Sequence, residues 1–208
     1  MNSSRGTFVV FEGGEGSGKS TQAARLAEAS GALLTRQPGG SEIGQRIREL
    51  LLSPDTVDLD ARAEALLMAA DRAQHVAQVI RPTLDSGRPV VCDRYLASSL
   101  AYQGAGRGLG IDAVLPLSLF AVDDVLPDIV FLLDVPVGVS RARLAGNHDR
   151  LEREPDNFHE RVRQAFLDLA EGHPERWVTL DGTLPPDDLQ DQIAQTLHER
   201  FDWKPWTS

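Results

Sequence analysis

Cysteine is nearly absent from this sequence, with Cys92 alone among 208 residues. A single thiol excludes an intrachain disulfide and a metal cluster built on several thiolates. Because Cys92 ends the apolar stretch of residues 89–92, we expect it to pack in the core.

Apolar runs such as residues 129–137 fall far below the roughly 20 residues that cross a bilayer, and residues 1–6 lack a signal-peptide apolar segment. We therefore expect a cytoplasmic protein without a membrane partner.

Positive charge is scarce as well. The chain has 21 Lys and Arg residues against 31 Asp and Glu residues, and its formal net charge of −10 repels nucleic acid and anionic membranes. Lysine occurs only at positions 19 and 204, so the Asn-Lys-x-Asp motif with which GTPases read guanine cannot be present. Anionic substrates must then be bound by local groups of arginines. The length and the 41% apolar composition fit a single domain, residues 1–208, in which residues 1–6 are expected to be disordered.

Short apolar stretches rich in β-branched residues alternate with segments of helical spacing. This alternation predicts a three-layer α/β sandwich, in which a central parallel sheet of about five strands is flanked by helices. Residues 59–86 are predicted to form one long helix that Pro82 kinks or ends. The predicted strands are residues 7–11, 32–35, 89–92, 129–135 and 177–180, and the predicted helices are residues 19–30, 41–52, 59–86, 96–103, 111–124, 137–145, 156–172 and 186–200.

A glycine-rich phosphate-binding motif follows the first predicted strand. Gly13 begins a match to G-x-x-x-x-G-K-S that ends at Ser20 and opens a helix. The glycines allow backbone N–H groups and the positive end of the helix dipole to converge on the phosphates of a nucleoside triphosphate. Lys19 adds a full charge, Ser20 is expected to hold Mg²⁺, and Thr21 is placed to reach the α-phosphate. The predicted ATP-binding residues are Gly13, Gly14, Glu15, Gly16, Ser17, Gly18, Lys19, Ser20 and Thr21.

An acidic residue at the end of a neighbouring strand is expected to complete the metal site. Asp93 follows the predicted strand of residues 89–92, whereas its competitor Asp134 is followed by Val135 and Pro136. We therefore assign the metal to Ser20 and Asp93. An ATPase would follow this aspartate with a water-activating glutamate, but the next residue is Arg94, which suits binding of a second phosphate. The pattern favours a kinase over a hydrolase.

Arginines also border the polar segment of residues 146–150. We predict a lid at approximately residues 141–155 that closes over the phosphates and excludes water. The alternative is a solvated charged surface, because Glu152 and Glu154 are interspersed among the cations. The arginines concerned are Arg141, Arg143, Arg150 and Arg153.

Residues 91–103, Val-Cys-Asp-Arg-Tyr-Leu-Ala-Ser-Ser-Leu-Ala-Tyr-Gln, resemble the signature of thymidylate kinases. The resemblance implies a P-loop NTPase sandwich of the nucleoside monophosphate kinase type with a short lid. It also implies Mg²⁺-dependent transfer of the γ-phosphate of ATP to dTMP by direct in-line displacement, and a homodimer. It extends to residues 11–13, 35–40, 48–52, 104–108 and 149–152.

The resemblance also implies roles for individual residues. Arg94 would bind the dTMP phosphate with help from Arg48, Arg72 would bind the thymine edge, Tyr102 would block a ribose 2′-hydroxyl, and Glu15 would contact the sugar 3′-hydroxyl. The implied catalytic residues are Lys19, Arg94, Arg143, Arg150 and Glu15. The implied substrate-binding residues are Glu15, Pro38, Arg48, Met68, Arg72, Arg94, Ser98, Ser99, Tyr102 and Gln103.

One position indicates a branch of the family, and two positions depart from the family pattern. Gly16 stands where one branch of the family carries a catalytic arginine, so the resemblance is to the branch whose arginines come from the lid, with Arg143 and Arg150 ahead of Arg153. Met68 replaces the phenylalanine that stacks on thymine, and Ala145 replaces an arginine of some lids. These two exchanges leave open a kinase for another nucleotide or deoxynucleoside, or an ATP-binding module without catalysis.

Two glycine-containing segments have less specific patterns. The glycines of residues 104–110 follow a predicted helix and not a strand, so we expect them to shape a loop beside the acceptor site and not to bind a dinucleotide. The turn of residues 181–185, after the last predicted strand, resembles the loop on the adenine side of the family's ATP site.

Overall fold

The computed structural model of the protein describes residues 5–144, 148–203 and 205. Its core is a five-stranded sheet in which every strand pair is parallel and the strand order is β2-β3-β1-β4-β5. The predicted fold class and the positions of the strands are confirmed. The strands are β1 (Phe8–Glu12), β2 (Leu33–Arg36), β3 (Val90–Asp93), β4 (Ile129–Asp134) and β5 (Trp177–Asp181).

Helices cover both faces of the sheet, and their positions follow the prediction with two interruptions. The predicted helix of residues 59–86 contains a π-helical segment, Val76–Ile80, just before Pro82, which has no amide hydrogen for a regular helical bond. A second π segment, Leu100–Gly106, follows the short helix after β3. The α-helices are α1 (Lys19–Ser30), α2 (Glu42–Leu52), α3 (Ala61–His75), α4 (Arg81–Asp85), α5 (Leu96–Ser99), α6 (Ile111–Val122), α7 (Val137–Arg143), α8 (Asp156–Gly172) and α9 (Pro186–Phe201).

The second π segment corrects the expectation of a loop for Gly104 and Gly106, whereas Gly108 and Gly110, with φ angles of 74° and 88°, lie in the connection that precedes Ile111. The helical path continues through Gly104 and ends at Gly106. A Cβ atom on Gly106 would lie 2.7 Å from the Phe158 ring, so this glycine allows α8 to pack closely. The first half of the glycine pattern therefore serves helix packing.

Alternating residues of the central strands build two hydrophobic layers. Val9 and Phe11 of β1 face α1 and α9, whereas Phe8 and Val10 face the opposite side. Cys92 is fully buried on that opposite side, as expected from its apolar neighbours. Because β1 is central and buried on both faces, it holds the glycine-rich loop that follows it on a rigid base.

The carboxyl ends of all five strands lie at one edge of the sheet, because the strands are parallel. Each strand ends there in a charged residue, and ligands of open α/β sheets bind outside this edge. These terminal residues are Glu12, Arg36, Asp93, Asp134 and Asp181.

The chain ends have some described contacts. The Gly6 amide donates to the Leu84 carbonyl over 2.9 Å and Arg5 pairs with Asp128, although both fall in the segment expected to be disordered. Residues 1–4 lie outside the described residues. Trp203 packs against the hydrophobic layer of α1 and α9. No described helix is long and apolar enough to cross a membrane.

Candidate active site

The glycine-rich loop connects β1 to α1 in a conformation that only glycines adopt readily. Gly13, Gly16 and Gly18 have φ angles of 145°, 66° and 94°. A Cβ atom on Gly13 would lie 2.6 Å from the Leu133 carbonyl oxygen of β4. The loop therefore passes close to the neighbouring strand, and its end, Gly18, directly precedes the first residue of α1.

Lys19 is almost entirely buried beneath this loop, with 5% of its surface exposed. Its Nζ donates to the Gly14 carbonyl over 3.0 Å and lies 3.8 Å from the Glu15 carboxylate. Burial and the nearby Arg94 charge lower the pKa of Lys19. Ser20 and Thr21 follow in the first turn of α1 and are exposed. The loop thus gathers the predicted phosphate-binding residues in one place.

Arg94 lies at the junction of the loop and the neighbouring cavity. It follows β3 with a φ of 70°, an unusual backbone conformation for a residue other than glycine, and its amide donates to the Phe11 carbonyl over 2.9 Å. Its guanidinium donates to the Gly13 carbonyl over 2.9 Å and to Glu15 over 2.5 Å. The same group donates to the Tyr102 hydroxyl over 3.0 Å. Arg94 therefore binds both the loop and a residue of the predicted acceptor site.

Glu15 stays ionised at neutral pH despite its partial burial. Burial alone would raise the pKa of Glu15. The charges of Arg94 and Lys19 and a hydrogen bond from Tyr102 outweigh this effect and lower the pKa to about 2. The Tyr102 hydroxyl donates to Glu15 over 2.9 Å. The Glu15 carboxylate thus lies between two cations and accepts from the phenol.

Glu12 is an important residue that the sequence reasoning did not assign. It is fully buried at the end of β1, and its carboxylate accepts from the Tyr95 amide over 2.9 Å and from the Ser98 amide over 3.1 Å. The Ser98 hydroxyl donates to it over 2.6 Å and also accepts from Arg94. Glu12 thereby holds the start of α5 in place beside Arg94. The available signal was an acidic residue in the buried stretch that immediately precedes Gly13.

The predicted metal residues are in contact. The Ser20 hydroxyl donates to Asp93 Oδ2, and Asp93 Oδ1 is buried without a hydrogen-bond partner among the described residues. The competing aspartate, Asp134, accepts two hydrogen bonds from Arg163, from Nε over 2.7 Å and from Nη2 over 2.9 Å. Hydroxyl and carboxylate oxygens are ligands that Mg²⁺ accepts. The described residues include no cluster of three or more His, Cys, Asp or Glu side chains suited to a metal.

A cavity beside Arg94 brings together every residue predicted to bind the acceptor. Arg72 is buried on its wall, donating from Nε to Gln37 over 2.9 Å and from Nη2 to Ser99 over 2.8 Å. Its Nη1 is buried and has no partner among the described residues. The predicted residues that line the cavity are Glu15, Pro38, Arg48, Met68, Arg72, Arg94, Ser98, Ser99, Tyr102 and Gln103.

Supporting residues around Arg72 were not predicted. His75 lies 2.7 Å from the Thr35 hydroxyl and 3.0 Å from the Gln37 amide nitrogen, and burial together with the Arg72 charge lowers its pKa to about 4. A neutral His75 therefore orients the Gln37 amide that binds Arg72. Asp71 accepts from the Gly39 amide over 2.9 Å, and burial raises its pKa to about 6. Thr35, Gln37 and Gly39 could have been found, because they belong to a segment of family resemblance, whereas Asp71 and His75 lie outside such segments.

The predicted lid arginines occupy different places. Arg143 donates to the Gly182 carbonyl over 2.8 Å and to the Gly16 carbonyl over 3.3 Å. Arg150 instead donates to the buried Glu64 carboxylate over 2.5 Å, and Arg153 donates to a backbone carbonyl within its own segment. The structure therefore brings Arg143, but not Arg150 or Arg153, to the phosphate loop. Ala145 lies outside the described residues.

Gly16 is where α7 packs on the phosphate loop. A Cβ atom on Gly16 would lie 2.8 Å from the Ser140 carbonyl oxygen and 3.5 Å from the Arg143 Cβ. Helix α7 thus occupies the space that a side chain at position 16 would enter, and it carries Arg143 to the same place. The turn of residues 181–185 lies alongside, since a Cβ atom on Gly182 would be 3.2 Å from the Ser17 carbonyl oxygen.

Comparisons with known proteins agree on one family. A model of the thymidylate kinase family matches residues 11–193. The chain is 49% identical to a thymidylate kinase from Cutibacterium acnes, covering 92% of this chain and 96% of the relative, and 50% identical to one from Clavibacter michiganensis subsp. michiganensis, covering 94% of each. The crystal structure of a thymidylate kinase from Ehrlichia chaffeensis superposes with a TM-score of 0.75 at 32% identity, covering 93% of this chain and 99% of that chain.

The packing at Gly16 predicts that Gly16→Ala lowers the free energy of unfolding by about 1–3 kcal/mol, because alanine is strained at positive φ and meets the Ser140 carbonyl. Urea denaturation without nucleotide measures this change. The matched control is Gly14→Ala, whose added Cβ atom meets nothing within 4 Å and which should stay within about 0.5 kcal/mol of the parent. Equal losses in the two variants would contradict the packing argument.

Proposed function

This chain belongs to the thymidylate kinase family, and we propose that it transfers the γ-phosphate of ATP to dTMP to form dTDP. The observation that carries the proposal is the position of Arg94, which binds Gly13 and Glu15 of the phosphate loop and lines the acceptor cavity. In this proposal the phosphoryl donor, ATP, and the phosphoryl acceptor, dTMP, bind on either side of the Arg94 guanidinium. The matches lend no support to the two alternatives, a kinase for another acceptor or a module without catalysis.

The donor side is the loop of residues 13–20. Its backbone N–H groups and the amino end of α1 bind the triphosphate, and Lys19 adds a full positive charge. Lys19 already lies close to a loop carbonyl and to Glu15, so it needs only a small side-chain movement to bind phosphate oxygens. Adenine then extends toward the turn of residues 181–185, which lies beside Ser17.

Ser20 and Asp93 are the residues that hold Mg²⁺ in this proposal. The unpartnered, buried Asp93 Oδ1 supports the assignment, because a buried carboxylate oxygen without a donor is costly unless a cation binds it. Mg²⁺ held by Ser20 and Asp93 would neutralise charge on the transferring phosphoryl group. The ion pair of Asp134 with Arg163 favours Asp93 over Asp134 in this role.

The acceptor side binds dTMP through arginines and excludes ribonucleotides through the ring of Tyr102. Arg94, with Arg48, binds the dTMP phosphate, while Met68 covers the base and Arg72 binds its edge. Tyr102 is held rigidly by Glu15 and Arg94, so its ring is well placed to exclude a ribose 2′-hydroxyl. The ionised Glu15 accepts a hydrogen bond from the sugar 3′-hydroxyl. No general base is needed, because the attacking phosphate oxygen is already ionised at neutral pH.

A coupled assay with ATP, Mg²⁺ and dTMP tests the proposed reaction. Turnover should stop when EDTA removes the metal, and Lys19→Ala should lower kcat on the order of 10²-fold or more, since a charge that stabilises the transition state is lost. Arg46→Ala is the control, because that arginine is 78% exposed on α2 and should have near-native rates. Turnover with dUMP or dCMP but none with dTMP would refute the assignment.

Arg143 is the lid arginine that we assign to the transferring phosphoryl group, because its guanidinium contacts the Gly16 carbonyl. Arg143→Ala should lower kcat on the order of 10²-fold or more. Arg141→Ala, on the same helix but paired with Asp156, should have a much smaller effect on kcat. Arg150 stays a prediction: it would have to leave Glu64 to reach the loop. A near-native Arg143→Ala variant together with an inactive Arg150→Ala variant would transfer the role to Arg150.

We also infer a homodimer formed through α3 and α6. The two helices pack together and expose apolar side chains, among them Leu66 at 55% and Phe120 at 87%. Light scattering should give twice the 22.7 kDa chain mass, and Phe120→Asp should give the monomer. Val57→Asp is the control, since Val57 is 77% exposed outside both helices. A monomeric parent protein would contradict the inference. The cytoplasmic location expected from the sequence stays a prediction.

A further inference from the structure

Glu64 is a fully buried carboxylate outside the cavity wall, in the first turn of α3. It accepts from the Gln103 side-chain amide over 2.8 Å, from Arg107 over 3.1 Å and from Arg150 over 2.5 Å. Burial raises its pKa, but the hydrogen bonds and charges of its partners produce a net lowering. Glu64 is therefore an anion at neutral pH, and it meets only donors.

This anion fixes which way the Gln103 amide faces. A carboxylate accepts hydrogen bonds and donates none, so the amide must turn its NH₂ group toward Glu64. The Oε1 carbonyl oxygen is then left for the cavity that Gln103 lines, and nothing donates to it among the described residues. Without Glu64, an amide in this place could present either its NH₂ group or its carbonyl.

Arg72 contributes the complementary group to the same cavity. Its Nε and Nη2 are engaged by Gln37 and Ser99, while the buried Nη1 donor has no partner among the described residues. The cavity thus offers an acceptor from Gln103 and a donor from Arg72. Arg72 Nη1 is a buried atom and Gln103 as a residue is only 1% exposed, so leaving either group unpaired, or facing it with a like group, is costly.

The arrangement matches one kind of pyrimidine edge. A base with a ring N–H and an adjacent carbonyl, such as thymine, offers a donor to Gln103 and an acceptor to Arg72. Cytosine reverses both groups, with an unprotonated ring nitrogen and an exocyclic NH₂. When the polar groups of a site are fixed in this way, binding of cytosine leaves them facing like groups. The loss for cytosine is then larger than the gain from the hydrogen bonds to thymine.

We infer that Glu64 is a positioning residue that selects the acceptor base: by holding the Gln103 amide in one orientation, it favours bases with a ring N–H over cytosine. The inference rests on the proposed function, because it concerns the acceptor cavity. Glu64 acts through Gln103 and does not itself touch the substrate.

The test compares dTMP with dCMP, by calorimetric Kd and by kcat/KM, in the full-length protein. Glu64→Gln allows the Gln103 amide to flip and present its NH₂ group to the cavity. The preference for dTMP over dCMP should then fall on the order of tenfold, because one hydrogen bond to thymine is replaced by a repulsive contact. Gln103→Met should lower the preference similarly, and Glu64→Gln should then add nothing in that background. Glu154→Gln is the matched control, since Glu154 pairs with the same Arg107 without contacting Gln103.

A structural ion-pair role for Glu64 gives a different result. It would weaken binding of dTMP and dCMP equally, and a preference that stays within about twofold of the parent would overturn the inference. If Glu64→Gln fails to fold, Gln103→Met decides, because an unchanged preference in that variant also overturns it. A parent protein that binds dTMP selectively but transfers no phosphate would refute the proposed function. The ratio of the Kd values for dCMP and dTMP in the parent protein and in the variants would still test the role of Glu64.

Discussion

The ion pair between Arg94 and Glu15 is the contact on which the rest of the site depends. Three charged groups, Arg94, Glu15 and Lys19, share a largely buried space between the phosphate loop and the acceptor cavity. A buried charge is tolerated only when a partner and hydrogen bonds compensate for its lost hydration. Each of these groups therefore requires the others, and the unusual backbone of Arg94 is maintained by contacts with β1 and its loop.

The fold supplies the rigid base for this arrangement. Parallel strands carry Glu12 and Asp93 to the same edge of the sheet, on adjacent strands β1 and β3. Glu12 holds the start of α5, and α5 leads into the π segment that carries Tyr102 and Gln103. One buried strand therefore positions the donor loop directly and the acceptor wall through a single carboxylate. A net charge of −10 is compatible with anionic substrates because Arg48, Arg72 and Arg94 line the cavity at this edge.

The sequence predicted the strands and the phosphate loop because both depend on local patterns: apolar stretches of strand length and glycines at fixed spacing. The acceptor residues came from family resemblance; the structure shows that they line one cavity, and their binding roles stay predictions. His75 and Glu64 were missed because the sequence does not distinguish a buried polar residue from an exposed one, whereas the position of Glu12 at the end of a buried strand was an available signal. Arg150 illustrates the same limit, since its pairing with Glu64 depends on how α3 and the segment after α7 meet.

In the proposed reaction, Arg94 and Glu15 act as one unit that joins donor and acceptor. A double-mutant cycle with Glu15→Gln and Arg94→Lys, measured as kcat/KM for dTMP at saturating ATP, tests it most directly. We expect the two losses to be strongly non-additive, with a coupling free energy of about 1.5 kcal/mol or more, as for other close charge pairs. Losses that add to within about 0.5 kcal/mol would show that the two residues act independently and would contradict the account.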